Sequence, residues 1–256
     1  MIERKSEREK QYMIEAGQLL ASIHKRLAEM IEPGVTTLEL DQFVENTLNG
    51  YQAKAVQKGY HGYPFATCAS VNDEICHGFP RNEKLQDGDL LTIDFVVRYK
   101  GVLADSAWTY AVGELSPEAL ELMSVTKEAL YKGIEAARAG NRVGDIGAAI
   151  QSYTEGAGFS VVRDFAGHGI GPTIHEEPNI PHFGITGKGL RLKEGMAITI
   201  EPMINAGEWR SKMDENGWTA RTKDGSLSAQ FEHTLIVTKG RPIITTEQNQ
   251  SAVNTN

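Results

Sequence analysis

Residues Leu85-Gln86-Asp87-Gly88-Asp89-Leu90-Leu91-Thr92-Ile93-Asp94 return, altered but aligned, as Leu192-Lys193-Glu194-Gly195-Met196-Ala197-Ile198-Thr199-Ile200-Glu201. In each copy a polar turn with a central glycine leads into an apolar run that reads as a strand and ends in a carboxylate. Upstream of the first copy, Ser6 to Ile31 places Ile14, Leu19, Leu20, Ile23, Leu27, Met30 and Ile31 at helical spacing, stopped by Pro33-Gly34. A shorter helix follows, with capping-box spacing at Thr36 and Glu39 and a stripe of Leu40, Phe43, Val44 and Leu48 ending at Gly50. Upstream of the second copy the unit recurs: a long helix from Pro117 to Arg138, a stop at Ala139-Gly140, and a shorter helix from Gly144 to Glu155.

Downstream, Asp105 stands eight residues before Gly113 and Glu232 eight before Gly240, each followed by β-branched and apolar residues. Each half thus contributes two strand-borne carboxylates. The expected architecture is an α/β (α+β) domain of two similar halves, about 6–113 and about 114–247, within a single domain 1–256. No Pro/Gly/Ser-rich linker separates them. Residues 248–256, opening Gln248-Asn249-Gln250-Ser251, read as a flexible tail.

Composition narrows the class. With 40% hydrophobic and 23% charged residues the chain is that of an ordinary folded protein. Its net charge of −8 argues against a protein whose main affinity is for phosphate backbones. No secretory signal and no apolar run of membrane-spanning length is visible. Cys68 and Cys76 are the only cysteines, too few for a disulfide framework, so a reducing cytoplasm is the expected compartment.

Singly, an acidic residue at a strand end is more often solvated or capping, and a lone histidine more often structural. Asp94, Asp105, Glu201 and Glu232 together are different, because pseudo-twofold symmetry would bring them to one centre. Four negative charges would not stay there without several positive ones, and two divalent ions meet that need. His168, in Gly167-His168-Gly169-Ile170-Gly171, has neighbours small enough for close backbone approach. An Asp/Glu/His donor set suits Mn, Fe(II), Co or Zn. Walker, Rossmann and GxSxG signatures are absent, which leaves metal-assisted hydrolysis as the strongest chemistry.

Over nearly the whole chain the motifs resemble type I methionine aminopeptidases of the pita-bread hydrolase family. They are Cys68-Ala69-Ser70-Val71-Asn72-Asp73-Glu74 leading to His77-Gly78, Thr92-Ile93-Asp94, Ala104-Asp105-Ser106, Gly167 to Gly171, His175-Glu176-Glu177-Pro178, Thr199-Ile200-Glu201-Pro202 and Gln230-Phe231-Glu232-His233. The resemblance implies the pita-bread fold: antiparallel sheet and outer helices around a central dinuclear metal site. It implies that Asp105 and Glu232 bridge two metals, Asp94 chelates one, and His168 with Glu201 complete the other. By the same resemblance Glu201 relays a proton, His175 donates to the developing oxyanion, and His77 contacts the scissile amide. A methionine pocket of Tyr60, Tyr63, Cys68, His77, Ile174 and Trp218 is likewise implied, with His175 beside it. Outside that frame Tyr60 and Tyr63 read as core aromatics.

The implied activity is removal of the initiator methionine from nascent chains when the second residue is small, with a transient ribosome encounter and a monomeric enzyme. Many relatives carry an aromatic residue at Ile174, and some a cysteine at Gln57, so the pocket's shape is expected to differ while the reaction class is unchanged. The short form, without a Cys/His zinc region or a long insertion, points to the bacterial branch. A proline-specific aminopeptidase of the same fold shares the ligand set, and a non-catalytic binding module would be expected to have lost it.

Overall fold

The computed structural model describes residues 2–247, so the expected tail at 248–256 lies outside the described residues. The helices are α1 (Glu7–Met30), α2 (Thr37–Gly50), α3 (Pro117–Ala136) and α4 (Val143–Gly156). The strands of the first half are β1 (Lys54–Ala55), β2 (Cys68–Val71), β3 (Glu74–Cys76), β4 (Leu90–Tyr99) and β5 (Val102–Ala111). Those of the second are β6 (Ser160–Val161), β7 (Gly167–Gly169), β8 (Glu176–Ile180), β9 (Ala197–Ile200), β10 (Met203–Asn205), β11 (Ser211–Met213), β12 (Ala220–Thr222), β13 (Ser228–Gln230), β14 (His233–Ile236) and β15 (Ile243–Ile244). No described helix is long and apolar enough to cross a membrane.

The capping box before α2 forms as its spacing indicates: Thr36 Oγ1 accepts from Glu39 N at 3.2 Å, and Glu39 Oε2 accepts from Thr36 N at 2.8 Å. Its counterpart before α4 keeps only the carboxylate arm, Arg142 N donating to Asp145 Oδ2 at 2.7 Å. The repeat extends to torsions and bonds. Gly34 and Gly140 have φ of 100° and 102°, a left-handed helix stop open to glycine. Gly34 N donates to Leu85 O and Gly140 N to Leu192 O, at 2.8 and 3.0 Å, so each helix stop docks onto the start of its own aligned segment.

Two expectations from the aligned segments need correction. Asp94 does not end its strand; β4 runs on through Phe95-Val96-Val97, whose peptides continue to pair with β5. Only in the second copy does the strand stop, at Ile200, because Glu201 is followed by Pro202, which has no N–H for a ladder. The equal spacing to Gly113 and Gly240 is coincidental. Gly88 N donates to Val112 O and Gly195 N to Val237 O, so Val112 matches Val237, five residues after Glu232 but seven after Asp105.

Every pairing between strands is antiparallel. In the first half β4 is flanked by β5 on one edge and by β1 and β2 on the other, and α1 and α2 bury Leu20, Ile23, Leu27, Leu40 and Val44 against Ile93, Phe95 and Val97. In the second, α3 and α4 bury Leu122, Leu130, Ile146 and Ile150 against Ile198, Ile200, Ile204 and Leu235, strands of the β15-β14-β9-β7-β8 and β13-β10-β6 sheets. The halves are joined where β5 runs beside Gln230–Thr234. Thr109 Oγ1 donates to Gln230 O, Glu232 N to Ala107 O, and Thr234 Oγ1 to Asp105 O, at 2.7 to 2.8 Å. A second join lies behind α1, where Gln18 Nε2 donates to the carbonyls of Thr245 and Glu247. There a Cβ on Gly17 would stand 2.2 Å from Thr245 O.

Candidate metal centre

The register of that central join places the two carboxylates. The bonded pairs 109–230, 107–232 and 105–234 run antiparallel, so Asp105 and Glu232 meet near the middle. Thr234 clamps Asp105 from the other half, its hydroxyl accepting from Asp105 N at 2.9 Å while donating to Asp105 O. Ser106 Oγ returns the favour by donating to Glu232 O at 3.0 Å.

His168 completes the group. Donor atoms of Asp105, His168 and Glu232 all lie within 4.8 Å of one another. The flanking glycines are required for this approach: a Cβ on Gly167 would be 2.5 Å from Thr199 O, and one on Gly169 2.2 Å from Glu177 O. His168 Nδ1 lies 3.0 Å from Gly169 O. A carbonyl only accepts, so the proton sits on Nδ1 and Nε2 is left with a lone pair. That Nε2 faces Glu201 Oε1 at 3.4 Å and Asp105 Oδ2 at 3.8 Å.

Acceptors facing one another without a proton between them repel, and a cation removes the repulsion. Asp105 Oδ1 and Glu232 Oε1 are buried with no hydrogen-bond partner, which points the same way. Burial and then the neighbouring carboxylates push Asp105, Glu201 and Glu232 well above the usual carboxylate range. Burial raises Asp94 to about 7 and lowers His168 to about 4. A site that disfavours its own negative charge, yet holds a neutral imidazole with a free lone pair, fits divalent cations.

Glu201 is positioned by side chains. Thr199 Oγ1 donates to its Oε1 at 2.9 Å and accepts from His168 N at 3.0 Å, so one hydroxyl orients two donors. Gln230 Nε2 stands 3.5 Å from Oε2, and Glu201 N donates to His182 Nε2 at 3.1 Å. Asp94 sits outside the tight trio but lines the same cleft.

The cleft brings together all the residues singled out for substrate contact: Tyr60, Tyr63, Cys68, His77, Ile174, His175 and Trp218, with Gln57 and Val96 beside them. His77 follows β3 at a positive φ of 56°, its ring edge-on to Phe165 at 5.6 Å and Trp218 at 6.2 Å. Burial lowers its pKa to about 4. His175 faces the Tyr60 hydroxyl at 2.9 Å through Nδ1, and its ring meets that of His168 at 4.5 Å. Burial lowers its pKa as well. Tyr63 combines both readings: it lines the cleft, yet its hydroxyl is buried against the carbonyls of Thr67 and Gly78 at 3.0 Å. Burial pushes the Cys68 thiol up, so it remains a neutral wall.

The sequence reading missed Thr199, Thr234, Gln230 and His182 as supports. Thr199 had a signal, since the aligned segment repeats Thr before its carboxylate. His182 and Thr234 had none.

Residues 11–239 match the model of metallopeptidase family M24. The chain is 50% identical over 235 residues to methionine aminopeptidase A of Synechocystis sp., covering 91% of this chain and 93% of that protein. It is 46% identical to methionine aminopeptidase 1 of Bacillus subtilis, covering 93% and 96%. Its structure is similar to the crystal structure of methionine aminopeptidase from Rickettsia prowazekii, with a TM-score of 0.95 and 42% identity over 96% of this chain and all of that one.

Proposed function

Because the chain belongs to metallopeptidase family M24, among its type I methionine aminopeptidases, we propose that Asp94, Asp105, His168, Glu201 and Glu232 hold two divalent ions for its reaction. That reaction is metal-dependent hydrolysis releasing the N-terminal methionine of nascent polypeptides. The observation that carries the site assignment is the buried trio of Asp105, His168 and Glu232 with orphaned carboxylate oxygens and an unprotonated Nε2. When bound, the ions would polarise the scissile carbonyl and make the attacking water acidic enough to react at neutral pH.

The protein groups do the rest. Glu201, fixed by Thr199 and Gln230, takes the proton of the attacking water and returns it to the departing amine. With the Tyr60 hydroxyl proton directed at Nδ1, neutral His175 carries its own proton on Nε2 and offers it to the developing oxyanion. His77, neutral because it is buried, hydrogen-bonds the scissile amide. Tyr60, Tyr63, Cys68, Ile174 and Trp218 enclose the methionine side chain, whose polarizable sulfur suits aromatic and thiol neighbours. The second residue must be small. Mn, Fe(II), Co and Zn all suit the donors.

The test is methionine release from Met-Gly-Met and Met-Leu-Met by metal-stripped protein reconstituted separately with Mn, Co, Fe(II) and Zn. Cleavage of the first peptide only, dependent on metal and abolished in Asp105→Asn, is the expected result. Cleavage of neither peptide, with release from X-Pro peptides instead, would overturn the substrate assignment.

A further inference from the structure

The free edge of β4 carries two strands end to end, β1 paired at Val97–Arg98 and β2 at Leu91–Asp94. Between them the edge is open at Phe95–Val96. Val56 N still reaches Val96 O at 3.0 Å, and then the chain turns away into a short 3₁₀ turn at Tyr60–Gly62. The gap is filled by a side chain. Gln57 Nε2 donates to Asp94 O at 3.0 Å, and Gln57 Oε1 accepts from Val96 N at 2.6 Å.

A carboxamide offers the same donor and acceptor as a peptide group, so Gln57 supplies the rung that neither strand provides. It is 8% exposed, and Val96 is 5% exposed, so water does not replace it readily. Its Nε2 is also 3.8 Å from the sulfur of Cys68, the residue opposite Asp94 in β2. The second half does something comparable with a different residue, since the backbone N–H of Glu201 is held by His182.

We propose that Gln57 is a positioning residue for metal binding: its carboxamide fixes the β4 backbone on either side of Phe95 and thereby aims the Asp94 carboxylate into the centre. The inference rests on the reading of Asp94 as a ligand. A support that orients a ligand alters metal affinity by about ten- to a hundredfold when removed. A residue that merely fills the sheet lowers stability and leaves affinity alone.

Metal-stripped full-length protein titrated with Mn²⁺, followed calorimetrically and by the loss of free Mn²⁺ signal in electron paramagnetic resonance, separates these. Gln57→Met should weaken one of two Mn²⁺ sites by about tenfold or more. Gln57→Cys should do the same if the methionine variant fails to fold. Ile146→Val, in the core between α4 and the second-half sheets, matches a modest stability loss and should leave both constants unchanged. Wild-type Mn²⁺ affinity in the Gln57 variants, or equal weakening in Ile146→Val, would overturn the proposal. Asp94→Asn tells the two possible failures apart. If it binds Mn²⁺ as the wild type does, the ligand reading itself is wrong; if it weakens while the Gln57 variants do not, only the role of Gln57 is lost.

Discussion

The first half carries its carboxylates inside an unbroken hairpin of two ten-residue strands, β4 and β5, whereas the second half carries them outside its strands. Glu201 follows β9 and precedes Pro202, and Glu232 lies between β13 and β14. A ladder aims a side chain through its own pairing, because alternate residues must face the same side, and β4 calls on a side chain only where its edge is open, at the peptides Gln57 holds. A residue in a break has no such rail and needs side chains to aim it, which is what Thr199, Gln230 and His182 do for Glu201.

The halves have also specialised. Val71 pairs with Leu91 as Gly169 pairs with Ile198, positions that the aligned segments equate, so Ser70 stands where the second half has His168. Ser70 accepts from Gly78 N at 3.1 Å and fastens the turn bearing His77. On the proposed assignment one half would provide the imidazole to the metals, while the other uses the same place to fasten the turn bearing His77.

The largest test of this comparison is at the join, where the halves contribute equally. Asp105→Asn and Glu232→Gln should each lower kcat/KM by on the order of a thousandfold or more, since each removes a charged donor at the electrostatic centre of the reaction. Unequal losses in steady-state assays would show that one half dominates there.

The pH dependence of metal-free stability is next. Carboxyl groups with raised pKa keep protons in the folded state that the unfolded chain has released, so stability falls as pH rises through that window. The buried histidines, His24, His182 and His233 at about 3 and His77 and His168 at about 4, act oppositely below the ordinary histidine range and are silent above it. As pH rises from the ordinary carboxylate range, the metal-free protein should lose roughly 1 kcal/mol per pH unit for each proton retained, a loss that for Asp94 runs up to about pH 7 and that the histidines partly offset below their ordinary range, and saturating Mn²⁺ should flatten the slope. Asp94, at about 7, should release first. Denaturant titrations of Asp94→Asn and Glu201→Gln would place the two halves' contributions on the pH axis; a flat metal-free profile would contradict the burial argument.

The smallest effect separates the matched threonines. Thr199→Val should reduce Mn²⁺ affinity and activity by about ten- to a hundredfold, because it releases both His168 and Glu201. Thr92→Val breaks only its bond to Thr109, 2.8 Å away, and should cost about 1 kcal/mol of stability while activity stays within a few-fold. Equal activity losses would mean that Thr92 serves the first half as Thr199 serves the second.

What could be read in the sequence was local or repeated. Helical periodicity, the Thr36–Glu39 box and the Gly34 and Gly140 stops all stand within short windows and are found where expected, whereas of the aligned carboxylates only Glu201 ends its strand. The Gly-His-Gly spacing correctly signalled close backbone approach. Contacts across the join were not legible, because Thr234 is 129 residues from Asp105 and nothing in its neighbourhood marks it. Gln57 was visible only as a departure from relatives, since its significance depends on a gap between two strands that pairing alone creates. The Gly240 match misled because a five-residue and a seven-residue interval each lead to a glycine-containing turn.

The seat of Thr245 over Gly17 bears on the order in which the molecule can be finished. Gln18 emerges early in synthesis, yet its acceptor is 227 residues further on, so the outer face of the first helix stays unsealed until nearly the whole polypeptide exists. The protein has two similar halves, but that late latch, like the bonds shared across the join, ties each to the other. A fragment ending between Gly113 and Ser116 would be a partner in search of its complement rather than half an enzyme.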